Sequence, residues 1–195
     1  MAEGIAYAAR TDVVRFVLAL QVVVSFCVFN FTVYVPLLAR NVLGQGSEGF
    51  GFLMTSLGVG AVSAGLSLGA LSARQLAPTR IALAVGGACG LLLGLAMARH
   101  FWMAALLLAL TGFTGTFATA GCNTFLQLTA PDGLRGRVMS LYTLLSSGIF
   151  PLGALFVGIL SQAGGVSTAF AVDGTLGLLA LVLLRPWVVR HAPGR

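Results

Sequence analysis

The chain has 195 residues, of which 58% are hydrophobic and only 8% charged, with a net charge of +6 and a mean hydropathy of +0.99. Soluble domains carry about 25% charged residues, and one this poor in charge would expose aggregating apolar patches. Composition therefore excludes a soluble domain and makes the lipid bilayer the solvent of this chain. Nothing in the charge suggests a nucleic-acid partner: there is no Lys, and the eleven Arg are read below as markers of orientation and of contact with anionic lipid headgroups.

A membrane-spanning helix needs roughly 20 apolar residues, within a range of about 17–25. Six stretches qualify in chain order, at about 14–38, 50–72, 81–98, 101–128, 138–161 and 168–184. None alternates apolar and polar residues as a barrel strand does. The first apolar run is too long for the h-region of a signal peptide and has no small-residue cleavage site after it. The loops are short, so consecutive spans run antiparallel in a single all-α, six-helix transmembrane bundle covering residues 1–195.

Threading six spans through a bilayer sorts the arginines. Arg10, Arg15, Arg74, Arg80, Arg135, Arg137, Arg185, Arg190 and Arg195 fall on one side, and only Arg40 and Arg99 on the other. Cytoplasmic loops carry the excess of Arg, so both termini are expected in the cytoplasm. Pro131 and Gly133 break the helix between the fourth and fifth spans. Asp132, Arg135 and Arg137 are then expected to form a short surface turn, with Asp132 available to cap the next helix.

Spans two and five share a weak pattern. "TSLGVGAVSAG" (Thr55–Gly65) and "TLLSSGIFPLG" (Thr143–Gly153) match at one Thr and two Gly. The two helices run in opposite directions, as an inverted 3+3 repeat requires. Span two is small on both faces, with Gly58, Ala61, Gly65 and Gly69 on one and Ser56, Gly60, Ser63 and Ser67 on the other. Small residues let helix backbones approach in lipid, so the pattern predicts a span sandwiched between neighbours. Gly148, Pro151, Gly153 and Gly158 invite a bend in span five. Spans three and six are mostly large aliphatics suited to lipid, which leaves spans one, two, four and five around any polar pathway.

Polar groups inside a membrane usually face the bundle interior or a water-filled cavity. In span four, Gly112, Gly115, Thr116, Thr119, Asn123 and Gln127 make a small and polar stripe within about 120° of arc; the alternative role is helix–helix hydrogen bonding. Span one carries Gln21, Ser25 and Thr32 on one side and Asn30 and Tyr34 on the other, one face lining a cavity and the other packing. Phe26, Phe29, Phe31, Phe113 and Phe117 could line an aromatic pocket. The candidate substrate-pathway residues are Asn30, Tyr34, Thr119, Asn123 and Gln127. Asp173 is the one carboxylate within a span, about a turn and a half from its outer end. It reads as an interfacial residue or a helix-dipole partner, the other reading being a proton carrier. Cys27, Cys89 and Cys122 have no metal-site spacing and read as packing residues. No Ser–His pair at membrane depth and no Lys-containing phosphate loop suggests an enzyme, and no cofactor or metal site is indicated.

Three segments carry a resemblance. "NTFLQLTAPDGLRGRVMSLYTLLSSGIFPLGAL" (Asn123–Leu155) resembles the region from the tenth to the eleventh helix of major facilitator superfamily exporters, closest to the bacterial enterobactin-exporter-like and macrolide-efflux-like branch. "VPLLARNVLGQGSEGFGFLMTSLGVGA" (Val35–Ala61) is similar to the junction of the seventh and eighth helices. "GALSARQLAPTR" (Gly69–Arg80) resembles the superfamily's loop motif, with Gly69, Arg74 and Arg80 at its Gly and basic positions and Ala73 at its acidic one. The resemblance covers nearly the whole chain but half of a twelve-helix transporter. It implies the C-terminal six-helix half of an inner-membrane exporter that moves a small molecule by alternating access against a second six-helix half. That half would be a missing N-terminal half or a second copy. Arg74, Arg80, Asp132, Arg135 and Arg137 would stabilise the cytoplasmic gate. The alternative is a non-transporting six-helix subunit or scaffold.

Overall fold

The computed structural model describes residues 2–71 and 76–190, and among them the chain is helical with no strand. Eight α-helices follow in order: α1 (Ala2–Arg10), α2 (Asp12–Val23), α3 (Phe31–Leu37), α4 (Ser47–Ala70), α5 (Pro78–Ala96), α6 (Phe101–Thr129), α7 (Asp132–Gly164) and α8 (Val166–Arg190). Six of the resulting rods are long and apolar enough to cross a membrane: Asp12–Val42, Ser47–Ala70, Pro78–Ala96, Phe101–Thr129, Asp132–Gly164 and Val166–Leu184. The first is composite, made of α2, a π-helical segment Val24–Val28, α3 and a second π-helical segment Leu38–Val42.

Connections are tight because the helices are nearly continuous in sequence. Gly165 alone joins α7 to α8, at φ +84, a left-handed conformation that a side chain resists. The link from α6 to α7 is Ala130 and Pro131 only. Asp132, Arg135 and Arg137 are thus already helical, not part of a turn as the sequence suggested. Asp132 makes no capping bond; it pairs with Arg135 at 2.7 Å, one turn along α7. The guanidinium of Arg135 also donates to the carbonyl of Gln127 at 3.0 Å, so one side chain ties the open end of α6 to the start of α7. The amphipathic α1 packs on the same place. A β-carbon added at Gly4 would come within 2.7 Å of the Arg137 β-carbon, so any side chain there would clash. At the opposite end Phe52 and Phe101, tilted against each other, both meet Trp102 edge to face, with Trp102 exposed as in an interfacial belt.

Packing follows an internal two-fold scheme. Span two (α4) lies on span four (α6), and span five (α7) on span one; span three (α5) lies on span four, and span six (α8) on span one; spans three and six lie on each other. Exchanging one for four, two for five and three for six maps this scheme onto itself, which is the inverted repeat. Its register is set by close backbone contacts. A β-carbon on Gly60 would overlap the Ala109 carbonyl, and one on Gly112 the Leu57 carbonyl. In the other half, a β-carbon on Gly153 would sit 2.5 Å from the Phe26 carbonyl and 2.9 Å from the Asn30 amide. Gly60 and Gly153 are therefore the equivalent positions. The sequence match, which aligned Gly60 with Gly148 and Gly65 with Gly153, is displaced by five residues; Gly65 meets nothing within 4 Å and Gly148 only Leu144 of its own helix.

Span one is the most enclosed rod, and α4 and α7 are the least. Only Leu53, Gly60 and Ala64 of α4 are buried, and only Val138, Tyr142, Gly153 and Val157 of α7. Span two is thus not sandwiched within this chain: Gly58, Gly65 and Gly69 look onto open space. Spans three and six present Leu83, Leu179, Val182 and Leu183 outward, as their aliphatic composition leads one to expect. Cys27, Cys89 and Cys122 are all buried free thiols, and Cys89 fills the hollow left by Gly174 and Gly177 of α8.

The glycine contacts carry a direct test. Gly60→Ala or Gly112→Ala must push α4 and α6 apart and should lower stability by about 1–3 kcal/mol, as overpacked cores do. Gly65→Ala, on the open face, should be neutral or gain up to about 1 kcal/mol in helix propensity. Thermal unfolding in detergent micelles compares the three; equal melting temperatures would show that the contact does not hold the pair together.

Candidate functional site

The candidate site grows from an interruption of span one. Phe29 and Asn30 leave helical geometry (φ/ψ −79/12 and −85/28) between the first π-helical segment and α3. A bilayer offers no water to the carbonyls that such a break frees. The side chain of Asn30 answers this locally: its amide donates to the Phe26 carbonyl at 2.5 Å. Farther along, Pro36 has no N–H for the carbonyl of Thr32, and the second π-helical segment follows at Leu38. α3 is consequently a seven-residue piece, Phe31–Leu37, with irregular backbone on both sides. Such π-segments in helices are frequent at functional sites.

The break turns Phe29 into a groove between spans one, two, four and five. Two adjoining cavities share Phe29 and Thr116. One, of about 440 Å³, is lined by Thr119, Ala120, Asn123, Thr124 and Tyr142 as well. The other, of about 200 Å³, adds Phe31, Met54, Leu57, Gly58, Ala61 and the Thr111–Gly115 turn of α6. One part therefore offers hydroxyls and an amide, and the next offers aromatic and aliphatic surface. No lining residue of either cavity is charged. The groove can hold a molecule with a polar and an apolar part by hydrogen bonds and dispersion.

The structure distributes the expected pathway residues unevenly. Thr119 and Asn123 line the polar cavity. Gln127 lies one turn beyond it, exposed, with its amide donating to the side-chain oxygen of Asn123. Asn30 and Tyr34 are both fully buried and face helices instead of the groove: Asn30 lies against Gly153, and the Tyr34 hydroxyl donates to Asp173 at 2.5 Å. The second polar face of span one packs too, since Gln21 and Ser25 are buried and bonded to each other at 3.0 Å. Thr32 alone of these five is exposed. In the aromatic set, Phe29 and Phe31 border a cavity, Phe113 stacks with Phe117, and Phe26 pairs with Phe156.

Of the loop residues, Arg80 is exposed in the first turn of α5, and Arg74 lies outside the described residues. Sequence reasoning missed Tyr142, whose hydroxyl donates to the Thr119 carbonyl at 3.2 Å and closes the cavity from the α7 side. The signal was present: Tyr142 carries a hydroxyl well inside an apolar span, which normally finds a partner when buried. It also missed the burial of Asp173, which is enclosed completely beneath a Tyr34 ring stacked on Phe170, centroids 4.1 Å apart.

Among the described residues, an all-helical bundle with six membrane-length apolar rods and an internal two-fold fits a multi-pass membrane protein. The family model for transmembrane secretion effectors matches residues 1–192, and the chain belongs to that family of the major facilitator superfamily. No curated protein and no solved structure matches it significantly. The family places the chain among membrane transporters with an efflux role.

One residue of the groove permits a clean prediction. The Thr119 hydroxyl is buried without a partner, and an unpaired buried polar atom costs stability. Thr119→Val, of nearly the same shape, should melt at the same temperature as wild type or above it. A clear fall in melting temperature would show that the hydroxyl is bonded in the folded protein.

Proposed function

We propose that this chain is the C-terminal half of an exporter in the bacterial inner membrane, with both termini in the cytoplasm. It moves a small amphipathic molecule outward by rocking against a second six-helix unit. The observation that carries this reading is the pairing of the groove with the two least covered helices. α4 and α7 flank it, and both leave most of their surface without a partner. In alternating access the substrate site lies between two such units, so a groove bordered by uncovered small-residue helices fits one wall of it.

Residues take roles accordingly. Thr116, Asn123 and Tyr142 contact the polar part of the substrate, Thr119 shapes the wall beside them with its hydroxyl turned into the protein, and Gln127 continues that path toward the arginine-rich end. Phe29, Phe31 and Met54 contact the apolar part. Asn30 and Tyr34 act from behind the wall, by holding the two sides of the break in span one. Arg80, Arg135 and Arg137, with Arg74, fix the cytoplasmic end; Arg135 does so through its bonds to Asp132 and the Gln127 carbonyl.

The competing role, a six-helix scaffold that transports nothing, makes opposite predictions. In native membranes, Gly65→Cys on the open face of α4 should cross-link to a second six-helix unit with a short bismaleimide, and Leu179→Cys on α8 should not. Absence of any cross-link from α4 would sink the two-unit reading. In vesicles that contain the assembled pair, Asn123→Leu should slow efflux of an amphipathic dye about tenfold, the equivalent of one lost hydrogen bond of ~1.4 kcal/mol. A scaffold would show no efflux to slow. Reporter domains fused to the two tails should both read cytoplasmic, and opposite compartments would overturn the topology.

A further inference from the structure

Asp173 stands two turns into α8, roughly 10 Å from its first residue, in a place where no charge is matched. It has no exposed surface. The titratable groups that face it are Tyr34 from α3, Cys27 from the first π-helical segment and Cys89 from α5. None of these is a cation, and the ion pairs Asp12–Arg15 and Asp132–Arg135 lie elsewhere. One carboxyl oxygen, Oδ2, meets the Tyr34 hydroxyl at 2.5 Å; the other, Oδ1, is buried with no partner.

The hydroxyl of Tyr34 has two acceptors within reach, Asp173 Oδ2 at 2.5 Å and the Ala169 carbonyl at 3.3 Å, but a single proton to donate. If Asp173 is ionised, Tyr34 serves its Oδ2, and a buried charge is left with one hydrogen bond and a bare Oδ1. If Asp173 carries a proton on Oδ2, the carboxyl donates to the Tyr34 oxygen and Tyr34 donates to Ala169. Every donor then has an acceptor, and Oδ1 is a neutral carbonyl oxygen, which is far cheaper to bury than a carboxylate. The site is built for the protonated acid.

We infer that Asp173 is a proton-binding site, closed by Tyr34, whose proton can leave only when α3 moves off α8. Deprotonation breaks the Oδ2–H bond and passes the proton to water, leaving a carboxylate that water must solvate. The packing admits no water, because Tyr34, Phe170 and Asp173 are all buried. The piece that can yield is α3, bounded by the Phe29–Asn30 break and the second π-helical segment, and fastened to α8 through Tyr34. Proton release and displacement of α3 are thus one event. The binding site stands without the transport reading; only its use to open the end of the groove remote from the arginine-rich end of the bundle rests on that reading.

Infrared spectroscopy of the reconstituted chain tests the site without any substrate. At neutral pH the wild type should show the carbonyl band of an un-ionised carboxyl, and Asp173→Asn, which keeps the shape of the side chain, should lose it. As the pH rises the band should fade, and the amide hydrogens of residues 31–35 and Leu37 should exchange with deuterium faster in wild type than in Asp173→Asn at matched pH. Tyr34→Phe, which retains the acid, should keep the band but shift its frequency; this variant decides the matter should Asp173→Asn not fold. An absent band at neutral pH, exchange that is equal in wild type and Asp173→Asn at every pH, or an unshifted band in Tyr34→Phe would overturn the inference. Efflux that survives such a result would leave the transport reading in place.

Discussion

In a bilayer, lipid is as apolar as leucine, and no hydrophobic force drives one helix onto another. What holds this bundle is therefore how near two backbones can come. Gly60 against Ala109 and Gly112 against Leu57 bring α4 and α6 into backbone contact, and Gly153 against Phe26 and Asn30 repeats the arrangement for α7 and span one. These three glycines set the depth at which each pair crosses, and so the register of the internal two-fold. The groove follows from them. With the backbones of spans two and four touching at Gly60, their side chains must diverge on either side of the crossing, and the space beside it is what Phe29, Thr116 and Tyr142 line.

The broken span one complements that rigidity. It is the most enclosed of the six, yet it has the least regular backbone of them. Polar side chains of the rod bond within the bundle: Asn30 serves the Phe26 carbonyl at the break, Tyr34 meets Asp173, and Gln21 meets Ser25. The polar residues of this rod maintain a discontinuous helix in an apolar setting, and the groove receives only the Phe29 and Phe31 rings that the discontinuity turns outward.

Much of this was legible in the sequence. Hydropathy located the six spans because length and apolarity are properties of a single rod. The polar stripe of span four placed Thr119 and Asn123 in the cavity because a regular helix keeps its faces. Span one has no such regularity; the break at Phe29 and Asn30 leaves no trace in its hydropathy, and angular arithmetic across it misassigned Asn30 and Tyr34 to an open face. The Tyr34–Asp173 bond joins residues 139 positions apart, beyond any local pattern. Asp132, Arg135 and Arg137 were read as a turn because charge and Pro131 mark a membrane boundary, although a helix can cross that boundary unbroken. The small faces of span two did signal close contact, but within this chain only the side carrying Gly60 meets another helix.

The uncovered face of α4 has its own chemistry. Thr55, Ser56, Ser63 and Ser67 each donate to the carbonyl four residues earlier in the same helix, at 2.8–3.0 Å. Their hydroxyls are thereby occupied before any other protein arrives, and the strip shows hydrocarbon little more polarity than alanine would. A surface of this kind can rest against acyl chains and later exchange them for a helix, with no dangling donor exposed in either condition. Insertion of this helix into hydrocarbon accordingly needs no other protein to satisfy its hydroxyls.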